Sequence, residues 1–155
     1  MKIPFLSRLV SSPLTQVAPP KLTYADSVGV RQKAQFTSLL LGILSDLPDL
    51  LAVSVVDLKS GTLLATHHIP GKLNPAKAAG FNAEIIRQKQ RALQALGLAE
   101  EEAIEDILIT LNTQWHVLRL LPDNRHFVHL MVNQRDTNLG IAREVMRART
   151  AGSAA

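Results

Sequence analysis

The stretch Leu47-Pro-Asp-Leu-Leu-Ala-Val-Ser-Val-Val-Asp57 lies where the hydrophobic period of the chain changes. Upstream, over Arg31–Leu47, apolar residues recur at the spacing of an amphipathic helix, which the following proline would end. The run Leu51–Leu58 contains a β-branched core and predicts a strand that is covered on both faces. Asp57-Leu-Lys-Ser-Gly61 then supplies a turn into a second strand, Thr62–His68. This part of the chain therefore predicts a helix followed by a β-hairpin.

A longer second helix is predicted from Asn74 to about Leu96. Asn74 is a favoured N-cap, and Pro75 suits the first helical position because the N–H it lacks would have no helical partner there. Gly97 fits the residue just beyond the helix, where a left-handed backbone is common. The apolar residues span an arc of about 160°, more than the ~100° that a single supporting sheet requires. These residues are Ala78, Phe81, Ile85, Ile86, Ala92, Leu93 and Leu96. The helix is therefore predicted to bury against two surfaces.

Three more strands and a third helix complete the folded part. The strands are predicted at Ile107–Leu111, Trp115–Leu121 and His126–Val132. Asp136 or Thr137 then caps the last helix. The order α-β-β-α-β-β-β-α contains hairpins, which predict mostly antiparallel pairing, and its strands are apolar on both faces, which predicts helices on both sides of the sheet. We therefore predict an α+β domain over residues 28–149.

The two ends of the chain differ from this middle part. Residues 1–27 hold four of the eight prolines, and we expect a flexible tail. Alternatively, this segment is a short docking peptide for a membrane or a protein, whose apolar residues would be Ile3, Phe5, Leu6, Leu9 and Val10. It is not typical of a secretory signal, because Arg8 interrupts a short apolar run. Residues 150–155 have little to bury, and we expect them to be disordered.

Composition narrows the class of protein. The chain has 155 residues, of which 46% are hydrophobic and 19% charged, as expected for one globular domain. No run of about 18 apolar residues predicts a membrane-spanning helix. The absence of cysteine excludes disulfides and thiolate metal ligands, and it fits a reducing compartment. We therefore expect a cytoplasmic protein.

Three stretches of the chain, together with the order of its predicted elements, resemble the Roadblock/dynein light chain family. Leu47–Asp57 with the following Gly61 is similar to the family's helix–strand–turn opening. Thr137-Asn-Leu-Gly-Ile-Ala-Arg143 is similar to its entry into the last helix, and the small residues Ala78-Ala79-Gly80 match its long second helix. The resemblance covers about Val28–Arg149. It implies a five-stranded antiparallel sheet, with the second helix on one face and the other two helices on the opposite face.

The resemblance also implies how the protein associates. Family members usually dimerise through the second helix and the edge strand that follows it, and bacterial members often regulate Ras-like small GTPases. The corresponding dimer interface would contain Asn82, Ile86, Lys89, Leu93, Ile107, Ile109 and Leu111. The opposite face of the second helix would bind the GTPase through Glu84, Arg87, Arg91 and Gln94. If the protein acts as a GTPase-activating protein, the donated arginine would be Arg87, Arg91, Arg143 or Arg147.

The sequence offers little chemistry of its own. Gly71-Lys72 is not a phosphate loop, because Thr66 replaces its first glycine and Leu73 its Ser or Thr. The histidine pairs in the predicted strands point to opposite sheet faces, so we predict no metal site. We expect no enzyme activity, no catalytic residues and no cofactor. Nucleic acid is an unfavoured partner, because the basic residues adjoin an acidic block and the chain has one Trp and one Tyr.

Charge along the chain leaves two interpretations open. The second helix is basic, whereas Glu100–Asp106 contains five acidic residues. This pattern is either a solvated surface or an electrostatically marked docking face.

The leading function is a non-enzymatic homodimeric regulator or scaffold that binds a Ras-like small GTPase and modulates its nucleotide cycle. The alternatives are a structural adaptor in a motility or membrane-associated complex, without effect on GTP turnover, and a small-ligand sensor, for which no polar pocket residues are evident.

Overall fold

The structure, a computed structural model, describes residues 18–153. Three helices occur in this range: α1 (Val30–Asp46), α2 (Pro75–Ala95) and α3 (Leu139–Ala151). The strands are β1 (Thr23–Tyr24), β2 (Ala52–Asp57), β3 (Leu63–His68), β4 (Asp106–Thr110), β5 (Gln114–Leu120) and β6 (His126–Asn133). The predicted docking peptide lies outside the described residues.

The strands form one antiparallel sheet in the order β1-β3-β2-β6-β5-β4. The prediction of five strands is wrong by one, because β1 pairs with the outer side of β3 within the segment predicted to be a tail. Two residues are too few to show a period, so β1 carries no sequence signal. Its Tyr24 is held by a 2.6 Å hydrogen bond to the Thr37 hydroxyl and by Lys33, whose Nζ lies 4.8 Å from the ring centre. The folded domain therefore begins before residue 28.

The sheet is covered by helices on both faces, as predicted. On one face, α1 and α3 bury a large core that includes Leu40, Ile43, Val55 and Met146. On the other face, α2 covers a smaller core with Phe127 at its centre. The single second helix therefore supports one side of the sheet, and the other two helices support the opposite side.

The third helix differs from its prediction at both ends. Its N-cap is Asn138, not Asp136 or Thr137, and the Asn138 side chain accepts hydrogen bonds from the Gly140 and Ile141 N–H groups at 2.8 and 3.3 Å. At the other end Thr150, placed in the predicted tail, is buried within the helix. Its hydroxyl donates to the Met146 carbonyl at 2.6 Å and accepts from Arg119 Nε at 3.0 Å. Specific polar contacts therefore extend the helix beyond its apolar pattern.

Candidate interaction surfaces on helix α2

The ends of α2 are fixed by local chemistry that the sequence predicts. The Asn74 side chain accepts a hydrogen bond from the Lys77 N–H at 3.1 Å, and Pro75 occupies the first turn. At the C-terminus Gly97 has φ +69° and donates its N–H to the Gln94 carbonyl. The Leu98 N–H reaches back to the Leu93 carbonyl at 2.9 Å, which completes a Schellman motif. These bonds terminate the helix and set the direction of the chain after it.

The β2–β3 turn fixes the position of α2 on the sheet. Gly61 has φ +71°, and a Cβ added there would lie 3.2 Å from the Cα of Gly80 in α2. The small residues at the start of α2 thus let the turn approach the helix backbone, and glycine at 61 meets both the left-handed conformation and the close contact. Arg87 strengthens the same junction, since its NH1 donates to the carbonyls of Leu58 and Lys59, both at 2.9 Å.

The inner face of α2 packs on the chain's own sheet. Ala79, Ala83 and Ile86 belong to the core around Phe127, and Ile86 is fully buried there. Asn82 is 7% exposed on the same side. Ile86 and Asn82 therefore do not lie on the free surface predicted for them. The sequence pattern did not show which apolar residues of α2 face the chain's own sheet, the inner half of the arc, and which face away from it, the outer half.

The outer half of the arc is an apolar stripe that the chain leaves exposed. We call the residues Phe81, Ile85, Ala92 and Leu96 the apolar stripe; Phe81 is 72% exposed and Leu96 67%. A groove of about 640 Å³ runs beside it, between α2 and β4, and Lys89 and Ile107 help to line it.

The apolar stripe adjoins an unpaired sheet edge. Strand β4 is hydrogen-bonded to β5 only, so its other edge is open within the described residues. Ile107 and Ile109 of this strand are half-buried toward the α2 side of the sheet, while Leu111, just beyond its end, is 46% exposed. Of the other predicted interface residues, Lys89 is exposed and Leu93 is half-buried. The structure thus brings an apolar helix face and an open strand edge together.

A charged cluster centred on Glu84 forms the polar face of α2. Glu84 accepts hydrogen bonds from Arg87 at 2.7 Å, from Arg91 at 2.8 Å and from Gln88 at 3.0 Å. These donors, Arg87 first, lower the pKa of the Glu84 carboxyl. Arg87 also holds the β2–β3 turn and has a side chain only 30% exposed, whereas the Arg91 side chain is 56% exposed. Gln94 is exposed farther along the helix.

Each arginine considered as a donor to a GTPase is engaged in an ion pair. Arg87 and Arg91 bind Glu84. Arg143 binds Asp106, which also accepts from Arg119, and Arg147 binds Glu144. The pairing of Asp106 with α3 spans 37 residues, and sequence reasoning missed it because no local spacing indicates it.

His126 and His129 point to opposite faces of the sheet, as their spacing predicts, but the fold brings His129 against His116 of the neighbouring strand, a pair that the sequence did not indicate. His126 Nδ1 contacts the Asp123 carboxylate at 2.5 Å and its ring packs edge-on against Phe36. His129 is buried on the opposite face, with its Nε2 3.1 Å from His116 Nδ1. Over residues 18–153 no three His, Cys, Asp or Glu side chains are grouped to hold a metal ion. No helix in that range is long and apolar enough to cross a membrane.

An antiparallel sheet with one long helix on one face and two on the other places the chain in the α+β class of folds. No protein-family model and no curated protein sequence matches this chain. Among solved structures, Myxococcus xanthus MglB is similar with a TM-score of 0.63 and 15% identity, over 74% of this chain and 90% of that one. A gliding protein MglB from Thermus thermophilus gives 0.62 at 12% identity, over 86% and 93% of the two chains.

A Roadblock/LC7 domain from Streptomyces avermitilis is also similar, with a TM-score of 0.59 at 9% identity, over 72% of this chain and 88% of that one. Identities this low show the fold alone. The chain has the Roadblock/LC7 fold, which confirms the resemblance drawn from its helix–strand–turn and last-helix motifs.

Proposed function

We propose that this protein is a non-enzymatic, dimeric regulator or scaffold that binds a Ras-like small GTPase and modulates its nucleotide cycle in the cytoplasm. The observation that carries the proposal is the apolar stripe of α2 beside the open edge of β4. A monomer would expose this apolar face and an unpaired strand together, an arrangement that proteins normally cover. The GTPase as partner follows from the Roadblock resemblance.

The dimer joins two copies of this same surface. Antiparallel pairing of β4 with its symmetry mate would satisfy the free backbone groups and extend the sheet across the two-fold axis. The apolar stripes would then face each other, and Phe81 would lose its solvent contact. An interface of this kind should bury on the order of 1,200–2,000 Å².

We assign the polar face of α2 to the GTPase. Its residues Arg87, Arg91 and Gln94 do not line the groove beside the apolar stripe, whereas Glu84, at the centre of this face, borders that groove. In the dimer two Glu84–Arg91 clusters would lie close together across the axis, so one GTPase could contact both helices in a 2:1 complex. Arg91 is the better contact residue, because it is more exposed than Arg87 and holds no backbone carbonyl. Gln94 extends the same face by one turn.

The arginine pairing bears on how the GTPase would be regulated. Inserting Arg87, Arg91, Arg143 or Arg147 into a nucleotide site would break an existing ion pair. Arg87, which also holds the β2–β3 turn, would lose the most, whereas the ion pairs of Arg91 and Arg147 are exposed and contribute little to stability. We propose that the protein acts by positioning the switch loops of its partner. The same pairing favours the second candidate, a structural adaptor that binds without changing GTP turnover.

The assigned surface is tested by charge removal on two helices. Arg91→Ala should weaken binding to a Ras-like GTPase from the same organism at least fivefold, about 1 kcal/mol. Arg147→Ala is the matched control, because Arg147 is a similarly exposed arginine in an ion pair with a glutamate three residues earlier, on α3. Titration calorimetry measures both affinities. Equal weakening by the two variants, or no effect of Arg91→Ala, would remove the polar face of α2 as the contact.

A further inference from the structure

A second apolar groove lies beyond the C-terminal end of α2. The segment between α2 and β4 folds back under its own hydrogen bonds, with the N–H groups of Glu101 and Glu102 donating to the Leu98 carbonyl at 3.1 and 2.9 Å. Two adjoining grooves of about 330 and 520 Å³ follow this segment, and Leu93 and Ile104 line both. Leu98, at the edge of the larger groove, is 38% exposed. The apolar floor is therefore accessible.

Glu102 and Glu105 line this groove together with Lys89, and Glu100 and Glu101 precede them on the same exposed segment. Glu100, Glu101, Glu102 and Glu105 are exposed, and none of them forms an ion pair with any residue that the structure describes. Asp106 differs from them, since it is half-buried and held by two arginines.

The charge of the four glutamates is not neutralised by an ion pair within residues 18–153. They follow the C-terminus of a 21-residue helix, where the helix dipole is negative and basic side chains are favoured. The last turn of α2 contains no basic residue. A cationic ligand would therefore interact favourably with the exposed carboxylates.

We propose that this groove, lined by Leu93, Leu98 and Ile104 and bordered by Glu102 and Glu105, binds a lysine- or arginine-rich amphipathic helix of another protein. Glu100 and Glu101, just before the groove, would add to its attraction for basic side chains. The apolar side of that helix would occupy the floor, and its basic side chains would pair with the rim, the arrangement of a helix bound in a hydrophobic groove.

This groove adjoins the two surfaces assigned above: Gln94 of the polar face lines its smaller part, and Lys89 and Ile107 line both its larger part and the groove beside the apolar stripe. The GTPase affinity of each variant is therefore measured together with its peptide affinity.

A peptide titration tests the proposal. The probe is a fluorescein-labelled amphipathic helix of about 16 residues, made of leucine and lysine, which is long enough for four helical turns. Its comparison peptide carries glutamate in place of lysine. Removing the four charges with Glu100→Gln, Glu101→Gln, Glu102→Gln and Glu105→Gln should weaken binding of the lysine peptide at least tenfold, and Leu98→Ser should weaken it at least threefold. Fluorescence anisotropy gives the affinities, and amide NMR shifts should locate the peptide at residues 93–105.

Matched variants distinguish binding at this groove from a general effect of losing acidic charge or apolar surface. Asp26→Asn with Asp49→Asn removes exposed acidic charge elsewhere, and Ile141→Ser removes an exposed apolar side chain from α3; both should change binding less than twofold. Equal binding of the two peptides, or an unchanged affinity of the four-glutamine variant, would overturn the proposal. Tighter binding of a peptide of residues 1–17, which contains apolar residues with Lys2 and Arg8, would overturn it in favour of the chain's own N-terminal segment. The dimer mass of each variant is measured alongside, so failure here is distinguished from loss of the dimer.

Discussion

Substitution of Phe81 by serine tests the dimer that we propose. Phe81 lies at the start of the apolar stripe, and 72% of it is exposed in the single chain. It takes no part in either core, so the change should leave the fold of the chain intact. Its main effect should be on association.

The size of the effect follows from the exposed area. A phenylalanine buries about 200 Å², so full burial in the dimer would remove roughly 140 Å² more from water. At about 25 cal/mol per Å² this is ~3–4 kcal/mol for each copy, an upper bound because association also orders side chains. Since the symmetric interface contains two copies, the dimer dissociation constant should rise at least a hundredfold.

Sedimentation velocity from nanomolar to micromolar concentration measures this constant. The wild-type protein should sediment as a dimer and Phe81→Ser as a monomer at low micromolar concentration, with an unchanged circular dichroism spectrum. Ile141→Ser is the control, because Ile141 is an exposed apolar residue on α3, at 57%. A monomeric wild type, or equal dissociation constants for all three proteins, would refute the assignment of the stripe.

The remaining predictions concern the stability of the single chain. Ile86→Ala should lower the free energy of unfolding by about 2–4 kcal/mol, because a fully buried side chain leaves a cavity; a loss under about 1 kcal/mol in a urea titration would contradict its core position. Asn74→Ala should cost about 1 kcal/mol through loss of the N-cap, whereas Asn112→Ala, in an exposed loop, should cost less than half of that. Burial, and then the nearby His116, lowers the pKa of His129 to about 3 from an ordinary 6.5. Below pH 6.5 the unfolded chain therefore binds a proton at His129 that the folded chain excludes. The free energy of unfolding should be unaffected by this group above pH 6.5. Between pH 6.5 and pH 3 it should fall by up to about 1.4 kcal/mol per pH unit. His129→Gln should flatten this slope, and an identical slope in both proteins would exclude His129 as its source.

Local signals predicted much of the fold. Pro48, Asn74 with Pro75, and Gly97 mark helix ends through backbone constraints that depend on one or two residues, and the structure places the ends of α1 and α2 there. Strand β1 was missed for the opposite reason. Two residues have no period, and their pairing depends on the edge of β3, which lies about 40 residues further along the chain.

The interaction surfaces could be predicted only in part. The wide apolar arc of α2 indicated two buried faces, but periodicity did not show which half contacts the chain's own sheet. Ile86 was therefore assigned to the outer surface, although it lies in the core with Phe127. Similarly, the spacing of Arg87 and Arg91 placed them on one face, but the attachment of Arg87 to the β2–β3 turn depends on the tertiary fold. Long-range contacts decided both outcomes.

The most direct test of the central claim is a titration of the purified dimer with a Ras-like GTPase from the same organism, loaded either with a GTP analogue or with GDP. We expect nucleotide-dependent binding, with at least tenfold tighter association to one loaded form, about 1.4 kcal/mol, and a mass that corresponds to two copies of this chain and one GTPase. Equal affinity for both forms would contradict a regulatory role and leave the adaptor. No binding of either form would contradict the GTPase assignment itself.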